Sequence, residues 1–173
     1  MTNNPFDRLP QVPSFEVKSA AAVDGQALPP AQMSGAFGVP GGQDLSPDLT
    51  WSGAPEGTKS YAVTVYDPDA PTMSGFWHWA VANIPASVTS LAEGARMPEG
   101  AVQFRNDAGL PQYIGAAPPA GHGAHRYFIT VHALDVEDIG VPAEGSPAYL
   151  GFTMAGHILA RATVVATAET PAA

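Results

Sequence analysis

The sequence predicts a folded, turn-rich single domain in which strands outnumber helices. Three observations predict it. Glycine and proline supply 18 residues each of the 173, about a fifth of the chain where about 12% is usual. Charged residues are 13% and hydrophobic residues 45%, a balance that belongs to a collapsed chain and not to a disordered one. Three runs of β-branched and aromatic residues stand out, against one segment with helix signals. With no internal repeat and no break in composition, residues 1–173 read as one domain, with 1–13 as an extended arm and 168–173 as a tail.

The elements follow in order. Phe15 to Lys18 is a short first strand, and residues 24–47, rich in Gly and Pro, are irregular. Asp44 to Trp51 is a turn leading into a short strand. Ser60-Tyr-Ala-Val-Thr-Val-Tyr66 is a strong strand, bounded by Gly57 and by Asp67-Pro68. Phe76-Trp-His-Trp-Ala-Val-Ala-Asn-Ile84 is the second, closed by Pro85, and Arg126 to Leu134 is the third. Ser87 to Leu91 is a short turn or strand. Residues 107–123 are mostly Gly, Pro and Ala, and a stretch of that length inside a compact domain is functional or disordered. Ser146-Pro147 gives a helix cap followed by proline at the first helical position, and apolar residues from Tyr149 to Leu159 recur at helical spacing. Thr163 to Thr167 returns as a last strand.

Seven Lys and Arg against 16 Asp and Glu give a net charge of −9, the wrong sign for a general nucleic-acid binder. No run approaches the ~18 apolar residues of a membrane span. The 30 alanines mean that the hydrophobic share overstates core volume. Without cysteine there is no disulfide, thiolate metal site or cysteine nucleophile. The N-terminus lacks a basic region followed by an apolar core, which reads as no secretory signal and a cytoplasmic protein.

Three segments carry chemistry. Asp67-Pro68-Asp69-Ala70-Pro71 follows the strongest strand and holds two carboxylates in a corner stiffened by two prolines; a plain proline turn with Asp caps is the bland alternative. His78 lies on a strand between two tryptophans, where strict alternation puts it on one face with Phe76, Ala80 and Ala82, and Trp77 with Trp79 on the other. Against a pocket role stands a buried histidine satisfied by one hydrogen bond. Gly121-His-Gly-Ala-His125-Arg-Tyr127 offers glycine-loop amides, two histidines and an arginine to an anion. A metal held by His122, His125, His78 and Asp67 is the weaker reading, because His-x-x-His on an irregular loop lacks a helix to align both rings. His132 and His157 read as packing or surface residues.

Together, Asp67 to Pro71, the His78 strand running into Asn83-Ile-Pro85, and Gly121 to Tyr127 resemble the phosphatidylethanolamine-binding protein family, and more closely its bacterial Raf-kinase-inhibitor-like branch. Ser46-Pro-Asp-Leu-Thr-Trp-Ser-Gly53 and Asn106-Asp107 with its Gly-rich loop add to the likeness, which spans most of residues 13–167. The resemblance implies a mainly β fold, with a large antiparallel sheet packed on a smaller sheet and a few short peripheral helices. It also implies a small anion pocket at one end of the sheets. Carried over position by position, that pocket is Asp67, Asp69, Pro71, His78, Gly121 and His125, with His122 in the variable part of the loop and Tyr113 at the mouth. Two departures stand out. Gly115-Ala-Ala-Pro-Pro119 replaces the Gly-Pro-Cys-Pro-Pro of many bacterial relatives, and the chain ends soon after its last strand, without the C-terminal helix of eukaryotic members. Kinase inhibition is therefore not carried over.

The function this supports is a binding module for a small anion (phosphate, a phosphoethanolamine-like group or a carboxylate), regulatory or inhibitory towards a partner protein. The alternative is a weak His/Asp-dependent hydrolase in the same pocket, for which no nucleophile is placed by motif. No catalytic residue, cofactor or resident metal is assigned. Neither nucleic-acid binding nor stable membrane insertion is expected, and a homodimer is an open option.

Overall fold

The structure, a computed structural model, describes residues 3–173. Eight strands form two antiparallel sheets. The small sheet holds β1 (Glu16–Lys18), β2 (Leu49–Ser52) and β5 (Ser90–Leu91) in the order β1-β2-β5. The large sheet holds β3 (Ser60–Asp67), β4 (Phe76–Pro85), β6 (Val102–Gln103), β7 (His125–Leu134) and β8 (Ile158–Ala168) in the order β6-β4-β3-β7-β8. The mainly β architecture is the one the resemblance implies.

The core between the sheets is apolar on both inner faces. Val63 and Val65 of β3, Trp79 and Val81 of β4 and Tyr127 and Ile129 of β7 meet Trp51 and Leu91 from the small sheet. Trp51 stands edge-on to Tyr61, with ring centroids 5.3 Å apart, a geometry favoured by the aromatic quadrupole. On the outer face of the large sheet, Ala62, Ala80 and Ala82 leave room for helix α1 (Pro147–Met154), which seats Leu150 and Met154 there. The many alanines thus act as spacers: they fill little volume and let other elements approach closely.

Helix α1 starts as its cap predicts, with the Ser146 hydroxyl accepting from the Tyr149 N–H at 3.0 Å. It ends at Met154, five residues before the expected limit. Ile158 and Leu159 belong to β8, whose 11 residues bury Ala160, Ala162, Val164, Ala166 and Ala168 on one face. That period of two is built from alanine, so it hardly registers as a hydrophobic alternation. Strand β6 also falls outside the expected elements; it is only two residues long. The N-terminal arm turns at residues 4–9, where Asp7 and Leu9 donate to the carbonyls of Asn4 and Phe6. Phe6 packs edge-on against Phe128. Residues 1 and 2 of that arm lie outside the described residues.

Strand β8 closes one side of the large sheet, and chain from the N-terminal third lies along it. Phe15 N–H donates to the Arg161 carbonyl and Arg161 N–H to that of Pro13. Further along, Thr167 N–H donates to the Gln26 carbonyl, Leu28 N–H to that of Thr167, and Val165 N–H to Asp24 Oδ1 at 2.7 Å.

The pairing of β3 with β4 slips by one residue at His78. Val65 pairs with Trp79, but Tyr66 pairs with Trp77. His78 is the extra residue of a β-bulge, and the bulge reverses the side-chain alternation. Trp79 enters the inter-sheet core, while Trp77 packs against Tyr66 on the outer face, with tilted rings 4.4 Å apart between centroids. The expectation that the two tryptophans share a face is therefore wrong. His78 shares the inner face with Phe76 and packs edge-on to Tyr127, 5.2 Å between centroids.

Candidate functional site

Three strand ends meet at one end of the inner face: Asp67 at the end of β3, Phe76 and His78 at the start of β4, and His125 at the start of β7. They line a cavity of about 140 Å³ together with Pro71 and Thr72 of the acidic corner, and Pro118 and Pro119 of the long loop. Phe37 and Tyr127 complete its walls.

Asp67 is buried, and its carboxylate is fully engaged. Oδ1 accepts from the N–H groups of Asp69 (2.7 Å) and Ala70 (3.1 Å), the local turn that a proline after Asp67 favours. Oδ2 accepts from Nδ1 of His125 at 2.7 Å. An ionised carboxylate only accepts, so this bond fixes the proton of His125 on Nδ1. Nε2 of the same ring lies 2.7 Å from Nδ1 of His122, so both nitrogens of His125 are occupied. The two histidines thus face each other through a hydrogen bond. Among the described residues no three His, Asp or Glu side chains are grouped to hold a metal.

His78 is held differently. Its Nδ1 donates to the Ile114 carbonyl at 2.8 Å, and the Ile114 N–H returns a bond to the His78 carbonyl at 3.0 Å. The buried segment 113–116 of the long loop thus pairs with the bulged residue, so the loop is ordered where it matters. Burial lowers the pKa of His78, outweighing the Ile114 bond and the negative charge of Asp67. The ring is neutral, its proton is on Nδ1, and its Nε2 makes no hydrogen bond among the described residues. Tyr127 is also neutral, since burial first and the charge of Asp67 second raise its pKa.

The remaining sequence-selected residues stand outside this lining. Asp69 turns away from the cavity to Arg126, which it grips through Nε (2.9 Å) and Nη2 (2.8 Å). That bidentate grip, working against partial burial, lowers the Asp69 pKa. Arg126 is therefore spent on a carboxylate. His122 stands behind His125. Gly121, at φ +72, donates its N–H to the Thr170 carbonyl at 2.9 Å, which docks the C-terminal segment on the glycine loop. Tyr113 is buried against Trp79 and donates to the Gln32 carbonyl at 2.8 Å, which makes it a core residue behind the site.

Several lining residues were not selected from the sequence. Tyr127 and Phe76 were within reach, since each lies two positions from a chosen histidine on the same strand and therefore on the same face. Phe37 lies in the irregular stretch far upstream, and no local pattern points to it. Asp44, at φ +53, is a related case: its Oδ1 accepts from Gly115 N–H at 2.7 Å and ties that upstream stretch to the cavity wall.

Comparison with known proteins gives a consistent result. A family profile described as phosphatidylethanolamine-binding protein matches residues 18–169. The Escherichia coli K12 protein UPF0098 YbcL is 46% identical over 165 residues, 92% of this chain and 90% of the relative. UPF0098 YbhB from the same strain is 47% identical over 148 residues, covering 83% and 92%. The crystal structure of E. coli YbcL superposes with a TM-score of 0.86 over 90% of this chain and 98% of its own. That of the Chlamydia trachomatis homologue CT736 does so with 0.78 at 32% identity, over 91% and 98%.

Proposed function

The chain belongs to the phosphatidylethanolamine-binding protein family, and from that premise we propose that its cavity binds a small anion together with one proton and that the protein regulates a partner according to occupancy. The observation that carries the reading is the free Nε2 of a neutral His78 beside a 140 Å³ cavity. With the ring proton committed to Ile114, Nε2 presents a lone pair. It matches a protonated oxygen, as in a phosphate monoanion or a carboxylic acid, or it takes a proton up as the ligand binds. Asp67 does not forbid an anion, because three N–H groups already compensate its charge. Tyr127 adds a neutral hydroxyl. Regulation of a partner finds support in Met73 and Phe37, which lie exposed near the cavity where a bound ligand and a partner surface meet.

The hydrolase reading finds less support. Both nitrogens of His125 are taken, and the Thr72 hydroxyl at the cavity donates to the Gly75 carbonyl. Neither is free to form or attack an ester.

The test is a calorimetric titration of phosphoethanolamine, phosphate and acetate between pH 5.5 and 8, on the parent protein and on His78→Gln. The expected outcome is affinity that weakens as pH rises and that falls at least ~10-fold in the variant. A flat pH profile, or an unchanged affinity in His78→Gln, overturns the reading. Capture of partners with and without saturating phosphate then tests the regulatory part: identical capture defeats it.

A further inference from the structure

His122 has no task in the anion site. It lies outside the cavity lining and is exposed, yet it ends a chain of hydrogen bonds that starts in the interior. Asp67 Oδ2 accepts from His125 Nδ1 at 2.7 Å, and both side chains are 3% exposed or less. With that proton fixed, Nε2 of a neutral His125 carries a lone pair. The 2.7 Å bond between the two rings is then donated by His122 Nδ1. The proton of His122 sits on Nδ1, and its Nε2 keeps a lone pair. Among the described residues nothing bonds to that Nε2.

This is the order of groups that activates a covalent nucleophile. A nucleophilic side chain lies within hydrogen-bond reach of a base, and a third group orients the base. In the Ser-His-Asp triad the nucleophile is a hydroxyl; here a second imidazole stands in its place. Asp67 and His125 are the buried, fixed part, and His122 is the part that meets solvent.

His157 supplies the contrast. Its Nδ1 donates to Asp135 Oδ1 at 2.8 Å, and the ring is 41% exposed. Its Nε2 also makes no hydrogen bond among the described residues. Its partner, however, is a carboxylate, a far weaker base than an imidazole. Asp135 orients the ring of His157 but does not take its proton.

We propose that His122 is a phosphoryl-acceptor site, which takes a phosphoryl group on Nε2 from a small activated donor, an acyl phosphate or a phosphoramidate. The Nε2 lone pair forms the bond to phosphorus. The bond from phosphorus to the leaving group breaks, and its electron pair departs with a carboxylate, or with ammonia from the ammonium form of phosphoramidate. Attack leaves the His122 ring positive, and its Nδ1 proton passes to His125 Nε2. The inter-ring hydrogen bond then runs in the reverse direction, and the imidazolium of His125 faces Asp67. Nothing is oxidised or reduced. The step uses neither His78 nor the contents of the cavity, so it stands apart from the anion-binding reading.

The experiment incubates the full chain with potassium phosphoramidate at neutral pH. Phosphorus NMR identifies the ring nitrogen that is modified, and site-resolved mass spectrometry follows each histidine. His122 is expected to react on Nε2, at least ~10-fold faster than His157. His125→Gln keeps an acceptor for His122 Nδ1 but cannot take its proton, and should bring the His122 rate down to that of His157. Circular dichroism checks the folding of this variant. If it does not fold, the ratio of His122 to His157 in the parent protein decides alone. Reaction of His122 no faster than that of His157, a phosphoryl group on Nδ1 of His122, or an unchanged His122 rate in folded His125→Gln each overturn the proposal.

Discussion

His125 Nδ1 donates to Asp67 Oδ2 at 2.7 Å and joins two strand ends 58 positions apart, with both side chains 3% exposed or less. Because Oδ1 of the same carboxylate also holds the N–H groups of Asp69 and Ala70, this one group organises the acidic corner and the histidine together. Removing one partner of such a buried pair strands the other, at about 3 kcal/mol or more. Asp67→Ala is therefore expected to lower the unfolding midpoint by about 6–12 °C, measured by thermal denaturation at pH 7. Asp67→Asn keeps an acceptor and should lose clearly less. Equal stability of all three proteins contradicts the assignment.

Stability should fall on mild acidification. Burial holds the pKa of both His78 and His132 below the ordinary histidine range. Below pH about 6.5 the unfolded chain takes up protons at these positions while the folded chain does not. Unfolding is then favoured as pH drops, by up to about 1.4 kcal/mol per pH unit for each histidine. Urea denaturation at pH 7, 6 and 5 should show the decline, and His132→Phe should remove roughly half of it.

The Asp69–Arg126 fork is half-open to water, each side chain being 27% exposed, so its contribution is modest. Arg126→Lys loses the bidentate geometry and should cost less than about 1 kcal/mol at pH 7. The guanidinium lowers the Asp69 pKa, so the pair stabilises the fold above the unfolded carboxylate value and loses that effect as pH falls through the folded one. The difference between parent and variant should accordingly shrink as pH falls below the ordinary carboxylate range.

Gly75 is a sharper structural test. It has φ +68 and precedes β4, where an added Cβ would collide with the Tyr66 hydroxyl and the Asp67 carbonyl. Gly100, at φ +88, has open space around it. Gly100→Ala should cost only the left-handed backbone penalty, about 1–2 kcal/mol. Gly75→Ala should cost more than that, and should also weaken phosphate binding, because the strand that carries His78 must shift. Chemical denaturation of both variants and one titration decide this.

Much of this architecture was legible in the sequence. The three long strands, the Ser146 cap and the acidic corner announce themselves through β-branched runs and proline spacing, which are local signals. The elements that were not legible depend on partners distant in sequence. The bulge at His78 exists because β3 and β4 slip by one residue, and neither strand alone contains that slip. Strand β8 alternates alanine with polar residues, so its buried face has little hydrophobic contrast. Asp69, Gly121 and Tyr113 were reached by resemblance, yet their side chains or amides are committed to Arg126, Thr170 and Gln32. Phe37 reaches the cavity through long-range ties such as Asp44 to Gly115 and Ser34 to Ala116.

The chain laid along β8 has a consequence for the behaviour of the protein at high concentration. An open strand border templates the addition of foreign strands, the usual seed of fibrils and of exchanged segments. At Arg161, Val165 and Thr167 the outward amides are already taken by residues 13 to 26. Recruitment of another chain there would first require peeling the N-terminal third away, so self-assembly by this border is coupled to partial unfolding.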